Sequence, residues 1–168
     1  MSKRYVHIYC GKGSGKSSAA IGQAVKAACL GKSVFVIQFL KGKDAAGLDY
    51  LKKLEPEIKL FSFDKFDKPF NDLSEEEKAE ECVHIRNGLS YAMKVLSTGE
   101  CDVLILDEIL GLPKTGAISE EDIRKLIELA QDDMELYLVG NDRLESLWPY
   151  VDEVTEVVTD YRADQSFR

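Results

Sequence analysis

The sequence predicts a three-layer α/β fold, a single domain over residues 1–168 in which a mostly parallel sheet is flanked by helices. Three observations carry that expectation. Strand-like and helix-like segments alternate along the chain. The strand-like segments, such as Ser33–Leu40 and Val103–Leu106, are nearly continuous in apolar residues, as suits parallel strands buried on both faces. A glycine-rich turn, Gly11–Gly15, joins the first apolar run to an alanine-rich helical run.

Taken in order, residues 5–10 read as the first strand and residues 16–30 as a helix stopped at Gly31. Residues 33–40 form a second strand, and 45–54 a short helix closed by Pro56. Residues 58–63 alternate in the manner of a third strand, and 64–73, with Pro69 and Asn71-Asp72, form a loop. Ser74 followed by Glu77 has the spacing of a capping box, so a helix starts there and runs to about Ser97, before Gly99. Residues 103–106 are a fourth strand, 119–131 a helix, 136–139 a fifth strand, 143–149 a short helix and 153–158 a last strand. In such sheets ligands bind beyond the carboxyl ends of the strands. Gly11–Ser18, Gln38–Lys43, Asp107–Glu108 and Gly140–Arg143 all follow strands directly and are expected to converge on one edge.

Composition bounds the function classes. The net charge is −8, and the lysines between positions 41 and 68 are interleaved with acids, so no nucleic-acid partner is expected. No apolar run approaches a membrane span, and Lys3-Arg4 leads straight into the first strand rather than into a leader. A cytoplasmic location with no membrane partner follows as the expectation. Cys10, Cys29, Cys82 and Cys101 are widely spaced, without the pairing of a zinc ribbon or redox couple, and are expected as free thiols. His7 reads as a hydrogen-bonded histidine of the core or sheet edge, and Trp148 as packing for the last short helix.

The chemistry lies in Cys10-Gly11-Lys12-Gly13-Ser14-Gly15-Lys16-Ser17-Ser18. A glycine loop between a strand and a helix turns backbone N–H groups toward an anion, and the helix N-terminus adds its positive dipole end. Lys16 offers a mobile charge for phosphate oxygens and Ser17 a hydroxyl for Mg²⁺, so the loop predicts a bound polyphosphate in a P-loop NTPase-like fold. The usual loop begins with a glycine where this chain has Cys10, leaving a shorter Gly11-to-Gly15 variant. Asp107-Glu108 closes an apolar strand, the place of an acid that holds Mg²⁺ opposite the loop serine. Asp107 is the expected metal ligand. Glu108 is a further metal ligand, a base or a surface residue.

Together these pieces resemble the ATP:corrinoid adenosyltransferases of the short P-loop type. That family's loop, T-G-N-G-K-G-K-T-T-A-A, corresponds to Cys10 through Ala20, and its V-x-Q-F-x-K-G to Val36-Ile37-Gln38-Phe39-Leu40-Lys41-Gly42. Its L-x-x-L-D-E corresponds to Val103–Glu108, its L-T-G-R to Leu138-Val139-Gly140-Asn141, and its D-x-V-T-E to Asp152-Glu153-Val154-Thr155-Glu156. The resemblance covers almost the whole chain in order. It implies transfer of the 5′-deoxyadenosyl group of ATP to cobalt(I) of a reduced corrinoid, with triphosphate leaving and ATP lying reversed relative to P-loop hydrolases. It implies Mg²⁺ or Mn²⁺ as cofactor, ATP as co-substrate, a corrinoid as acceptor, a flavin-type reductase as electron source and a homodimer. Carried over by position, Lys16, Asp107 and Glu108 become the catalytic residues. Gly11, Lys12, Gly13, Ser14, Gly15, Lys16, Ser17, Ser18, Gln38, Lys41, Asn141 and Arg143 line the nucleotide, and Ser17, Asp107 and Glu108 face the metal.

The chain also departs from that family. Lys12 and Ser14 stand where it has Asn and Lys, and Asn141 where it has Arg, with Arg143 two positions on as the substitute. Its aromatic corrinoid-facing segment G-F-T-W is not recognisable. Phe61, Phe63, Phe66 and Phe70 fall in that region, where core packing is their commonest role and Phe66 or Phe70 the candidates for the corrinoid. Its C-terminal pattern is missing too. A P-loop kinase or ATPase, or an ATP-binding regulatory homologue without corrinoid activity, therefore stays open on the residues alone.

Overall fold

A computed structural model of the chain describes residues 3–40 and 47–163. Its sheet has six strands: β1 (Tyr5–Cys10), β2 (Val34–Gln38), β3 (Ile58–Ser62), β4 (Val103–Asp107), β5 (Glu135–Val139) and β6 (Glu153–Glu156). They lie in the order β3-β2-β4-β5-β1-β6. Every pair is parallel, where the sequence predicted a mostly parallel sheet. All the strand carboxyl ends therefore share one edge.

Alternate residues of each strand face opposite sides, and both sides are apolar. On one side α1 (Lys16–Cys29) packs Ala20, Ile21, Ala24 and Ala27 against Val34, Val36, Val103, Ile105 and Val139. Small alanine side chains favour the helix and keep it close to the sheet. On the other side α2 (Glu75–Thr98) and α3 (Glu120–Leu129) cover Val6, Ile8, Leu104, Leu106, Leu136 and Leu138 with Ile85, Leu89, Val95, Ile123 and Leu126. Burying each such aliphatic side chain contributes about 1.5–3 kcal/mol.

The helix starts follow from local chemistry. Ser74 accepts from the Glu77 amide while the Glu77 carboxylate accepts from the Ser74 amide, as the spacing predicts, and Ser119 with Asp122 repeats the arrangement. α2 ends at Gly99, whose φ of 65° reverses the chain.

Several boundaries shift. The helices expected at 45–54 and 143–149 are 3-10 turns, Asp49–Leu54 and Glu145–Tyr150, the second with Pro149 inside it. A third such turn, Ile109–Thr115, follows β4 and contains Gly111 and Pro113, which hide it from helical pattern reading, and Phe70–Asp72 adds a turn to the 64–73 loop. The strand expected at 33–40 stops at Gln38, and Leu40 turns to φ 49°. The last strand stops at Glu156 rather than 158, because the Val157 carbonyl leaves the sheet to accept from Gly13. No helix among the described residues is long and apolar enough to cross a membrane.

Candidate functional site

The glycine loop runs from the end of β1 into the first turn of α1. Gly15, the N-cap, has φ 100°, a conformation that L side chains avoid, and α1 carries neither a capping side chain nor an acid in its first turn. The Lys16 side chain folds back, Nζ donating to the Gly13 carbonyl at 2.6 Å, and only 9% of the residue is exposed. One residue on, Ser17 Oγ donates to Asp107 Oδ1 at 2.7 Å, across ninety positions of sequence. Asp107 ends β4, which is separated from β1 by β5, so α1 reaches over the intervening strand to meet it. Among the described residues the two motifs of the sequence thus touch directly.

Electrostatics at this point are governed by burial. Asp107 is 4% exposed; burial pushes its carboxyl upward, while the Ser17 hydroxyl and the Lys16 charge oppose the shift. Burial, then the charge of Asp107, pushes Glu108 up to about 7. Glu108 sits at φ 66°, turning the chain out of β4 so that its side chain lies between two clefts. Gln38, in register with Asp107 on the neighbouring strand, is 4% exposed, and its Oε1 has no hydrogen-bond partner among the described residues.

Among the described residues, three clefts follow the carboxyl edge. One of about 300 Å³ is lined by Ser17, Ser18, Gln38, Tyr50, Asp107 and Glu108. A second, about 560 Å³, lies between Gly11–Gly13, Asn141–Arg143 and the segment Glu156–Thr159. A third, about 190 Å³, is bounded by Leu40, Phe70, Glu108, Gly111 and Asn141. The predicted residues thus divide into two groups, joined by Lys16. Lys12 lies exposed on the rim of the second cleft, and Ser14 and Gly15 are exposed on the loop between. Lys41 lies outside the described residues.

Arg143 lies beside the loop but is engaged from three sides. Its guanidinium bonds Glu145 at 3.1 Å, pairs with Glu156 and stacks 4.8 Å from the Trp148 ring centroid. Trp148 in turn donates to the Arg143 carbonyl at 3.0 Å. Asn141 contributes its backbone carbonyl, which accepts from Gly11 N–H at 3.1 Å.

The aromatic residues separate as well. Phe61 and Phe63 pack on Tyr91, with ring centroids 5.1 and 5.7 Å apart, and belong to the core. Phe66 lies under Lys65, and Phe70 lines the third cleft next to Glu108. His7 stacks on Tyr9 at 4.1 Å and bonds Thr155 at 2.8 Å within the sheet, the hydrogen-bonded histidine that was expected. Cys10 is fully buried beneath the loop.

Three contributors were not anticipated. Val157 and Thr159 flank the loop, the Val157 carbonyl accepting from Gly13 N–H at 2.9 Å and Thr159 Oγ1 from Ser14 N–H at 3.1 Å. Only the nearby D-x-V-T-E pattern signals them. Glu81, 2% exposed on α2, accepts the amides of Lys65 at 3.1 Å and of Phe66, fixing the loop that follows β3. Its position one turn before Ile85, on the buried stripe of α2, is the signal in the sequence.

The protein donors suit a small hard cation. One hydroxyl and one buried carboxylate in contact match Mg²⁺, which takes few protein ligands and fills its shell with water and phosphate oxygens.

The sequence was compared with known proteins. No curated protein matches the chain. The model of the family described as ATP:corrinoid adenosyltransferase BtuR/CobO/CobP matches residues 2–163. That span holds the glycine loop, the Asp107 strand end and all six strands, and the chain belongs to this family of ATP-dependent corrinoid adenosyltransferases.

Proposed function

We propose that the protein transfers the 5′-deoxyadenosyl group of ATP to cobalt(I) of a reduced corrinoid, in the synthesis or salvage of an adenosylated corrinoid. The cobalt–carbon bond forms with the electron pair of cobalt(I), the C5′–oxygen bond breaks, and triphosphate leaves with that bond's electrons. Cobalt(I) is itself a strong nucleophile, so the protein needs no activated serine or cysteine. Its tasks are to hold C5′ in line and to stabilise charge on the leaving group.

The observation that carries this reading is the Ser17–Asp107 contact beside Lys16, which joins the loop to the acidic strand end in one site. The amides of the first turn of α1 and the Lys16 ammonium take the triphosphate oxygens, Lys16 exchanging the Gly13 carbonyl for phosphate. Ser17 and Asp107 hold Mg²⁺, which when bound neutralises part of the triphosphate charge. Gln38 offers to the same cleft its buried amide oxygen, which has no partner among the described residues. Lys12, Ser14, Ser18, Asn141 and Arg143 shape the nucleotide walls. Glu108 and Phe70, on the third cleft, form the side on which the corrinoid approaches.

Incubation with ATP, Mg²⁺ and a corrinoid kept at cobalt(I) by a strong reductant tests the proposal. Triphosphate and an adenosyl–cobalt product, followed by phosphorus NMR and absorbance, are expected in equal amounts. ADP or orthophosphate as the nucleotide-derived product would overturn it in favour of phosphoryl transfer.

A further inference from the structure

The loop glycines do not all serve the same purpose. A Cβ on Gly15 would meet nothing within 4 Å; glycine is needed there for its φ alone. A Cβ on Gly11 or on Gly13 would lie 2.6 Å from the Val157 carbonyl oxygen, and one on Gly13 also 2.8 Å from the Thr159 amide nitrogen. Backbone cannot give way as a flexible side chain can. Gly13 is therefore small because the segment after β6 lies against it, and Gly11 for that reason together with its φ of 103°.

That segment is bonded to the loop at successive points. Val157 N–H donates to the Cys10 carbonyl at 2.8 Å, and the Val157 carbonyl accepts from Gly13 at 2.9 Å. Thr159 Oγ1 accepts from Ser14 N–H at 3.1 Å and lies 3.4 Å from Ser14 Oγ. On the opposite side Gly11 is tied to Asn141. The amides of Gly11, Gly13 and Ser14 are thus committed to protein acceptors. The amides of Lys16, Ser17 and Ser18 belong to a first helical turn, where no intrahelical acceptor exists.

We infer that Val157–Thr159 is a built part of the nucleotide site, and that Thr159 is a positioning residue which holds the first half of the glycine loop so that the second half is set for triphosphate. The inference rests on the reading of this loop as the ATP site. It assigns the two halves different work: the first is an anchor, the second the anion cradle. A loop already held in its binding geometry loses less freedom when the ligand arrives.

The discriminating pair of variants is Thr159→Val, which keeps the shape and removes the hydroxyl, and Thr159→Ser, which keeps the hydroxyl. Mg²⁺·ATP affinity is measured by calorimetric titration without corrinoid, and steady-state constants are measured with it. Losing one hydrogen bond to the loop is expected to weaken ATP binding about five-fold in Thr159→Val. KM for ATP rises with it, kcat and the KM for corrinoid stay unchanged, and Thr159→Ser restores the wild-type value. Equal affinity in Thr159→Val overturns the inference. So does tighter binding, which would make the segment a competitor of phosphate, and so does equal weakening in both variants. Wild-type protein that binds no ATP at all would sink the underlying site reading instead, a separate result from any difference between the variants.

Discussion

The N-termini of α2 and α3 are completed by their own sequence, and that of α1 is not. Ser74 and Ser119 each cap a helix through a reciprocal pair of hydrogen bonds, and three acids follow in each first turn: Glu75, Glu76 and Glu77, then Glu120, Glu121 and Asp122. α1 has a left-handed glycine at the cap, no capping side chain and no acid in the first turn. The positive end of a helix dipole and its orphan amides favour negative charge. Where the protein wants only a stable helix, it supplies that charge itself. At α1 it supplies Lys16 instead, so the positive end of this helix is not cancelled by acids of its own first turn, and it meets the Asp107 carboxylate only across the sheet edge, through Ser17.

The largest effect that would break this comparison is Lys16→Ala. Removing a charged donor to phosphate should weaken Mg²⁺·ATP binding about 100-fold with little change in melting temperature. Unchanged affinity would mean that the open terminus of α1 is not the phosphate site.

Gly13→Ala comes next. The added methyl meets the Val157 carbonyl, and overpacking of this kind costs about 2 kcal/mol of stability, so a denaturation midpoint below wild type is expected together with weaker ATP binding. A smaller effect, about 1 kcal/mol each, is expected from Ser74→Ala and Ser119→Ala, which lose a cap. These two should lower stability in urea titrations while leaving ATP affinity at wild type, the reverse of Lys16→Ala. A change in ATP affinity in either cap variant would blur the distinction between the two kinds of terminus.

The smallest is a slope. With its folded value at about 7 against an ordinary carboxylate value of 4.5, Glu108 binds more proton in the folded state than in the unfolded one between those limits. Stability without Mg²⁺ and ATP should therefore fall as pH rises from about 4.5 to about 7 and level off above. Glu108 is half-buried, so solvent screening keeps the change modest. Glu108→Gln should flatten this slope in melting curves recorded across that range. A wild-type slope unchanged in the variant would assign it to other buried carboxyls, such as Glu81.

Much of the fold could be read from the sequence because its signals are local. The apolar runs at 5–10, 33–40 and 103–106 needed no tertiary information, nor did the Ser74 capping box, and the glycine loop with Asp107 pointed to one sheet edge. The turn Ile109–Thr115 was not legible, since proline and glycine within seven residues carry no helical period. Val157 and Val158 looked like two more strand residues, because an apolar pair reads the same whether it continues a sheet or leaves it for a loop. The purpose of Gly11 and Gly13 was equally hidden. A glycine that admits a ligand and a glycine that admits a neighbouring backbone are the same letter. Glu81 stands among the exposed acids that open α2, and only the packing of that helix turns it inward.

The hydrogen bond between Ser14 and Thr159 joins residues 145 positions apart. β1 finds its partners β5 and β6 only in the last quarter of the chain. Pairings of such long range are slow to close. During synthesis, the glycine loop thus leaves the ribosome long before the segments that complete it, and the nucleotide site proposed above is finished only after Thr159 has emerged. A product truncated before Thr159 would keep the Gly11–Ser18 motif intact in its sequence and still lack the wall that shapes it.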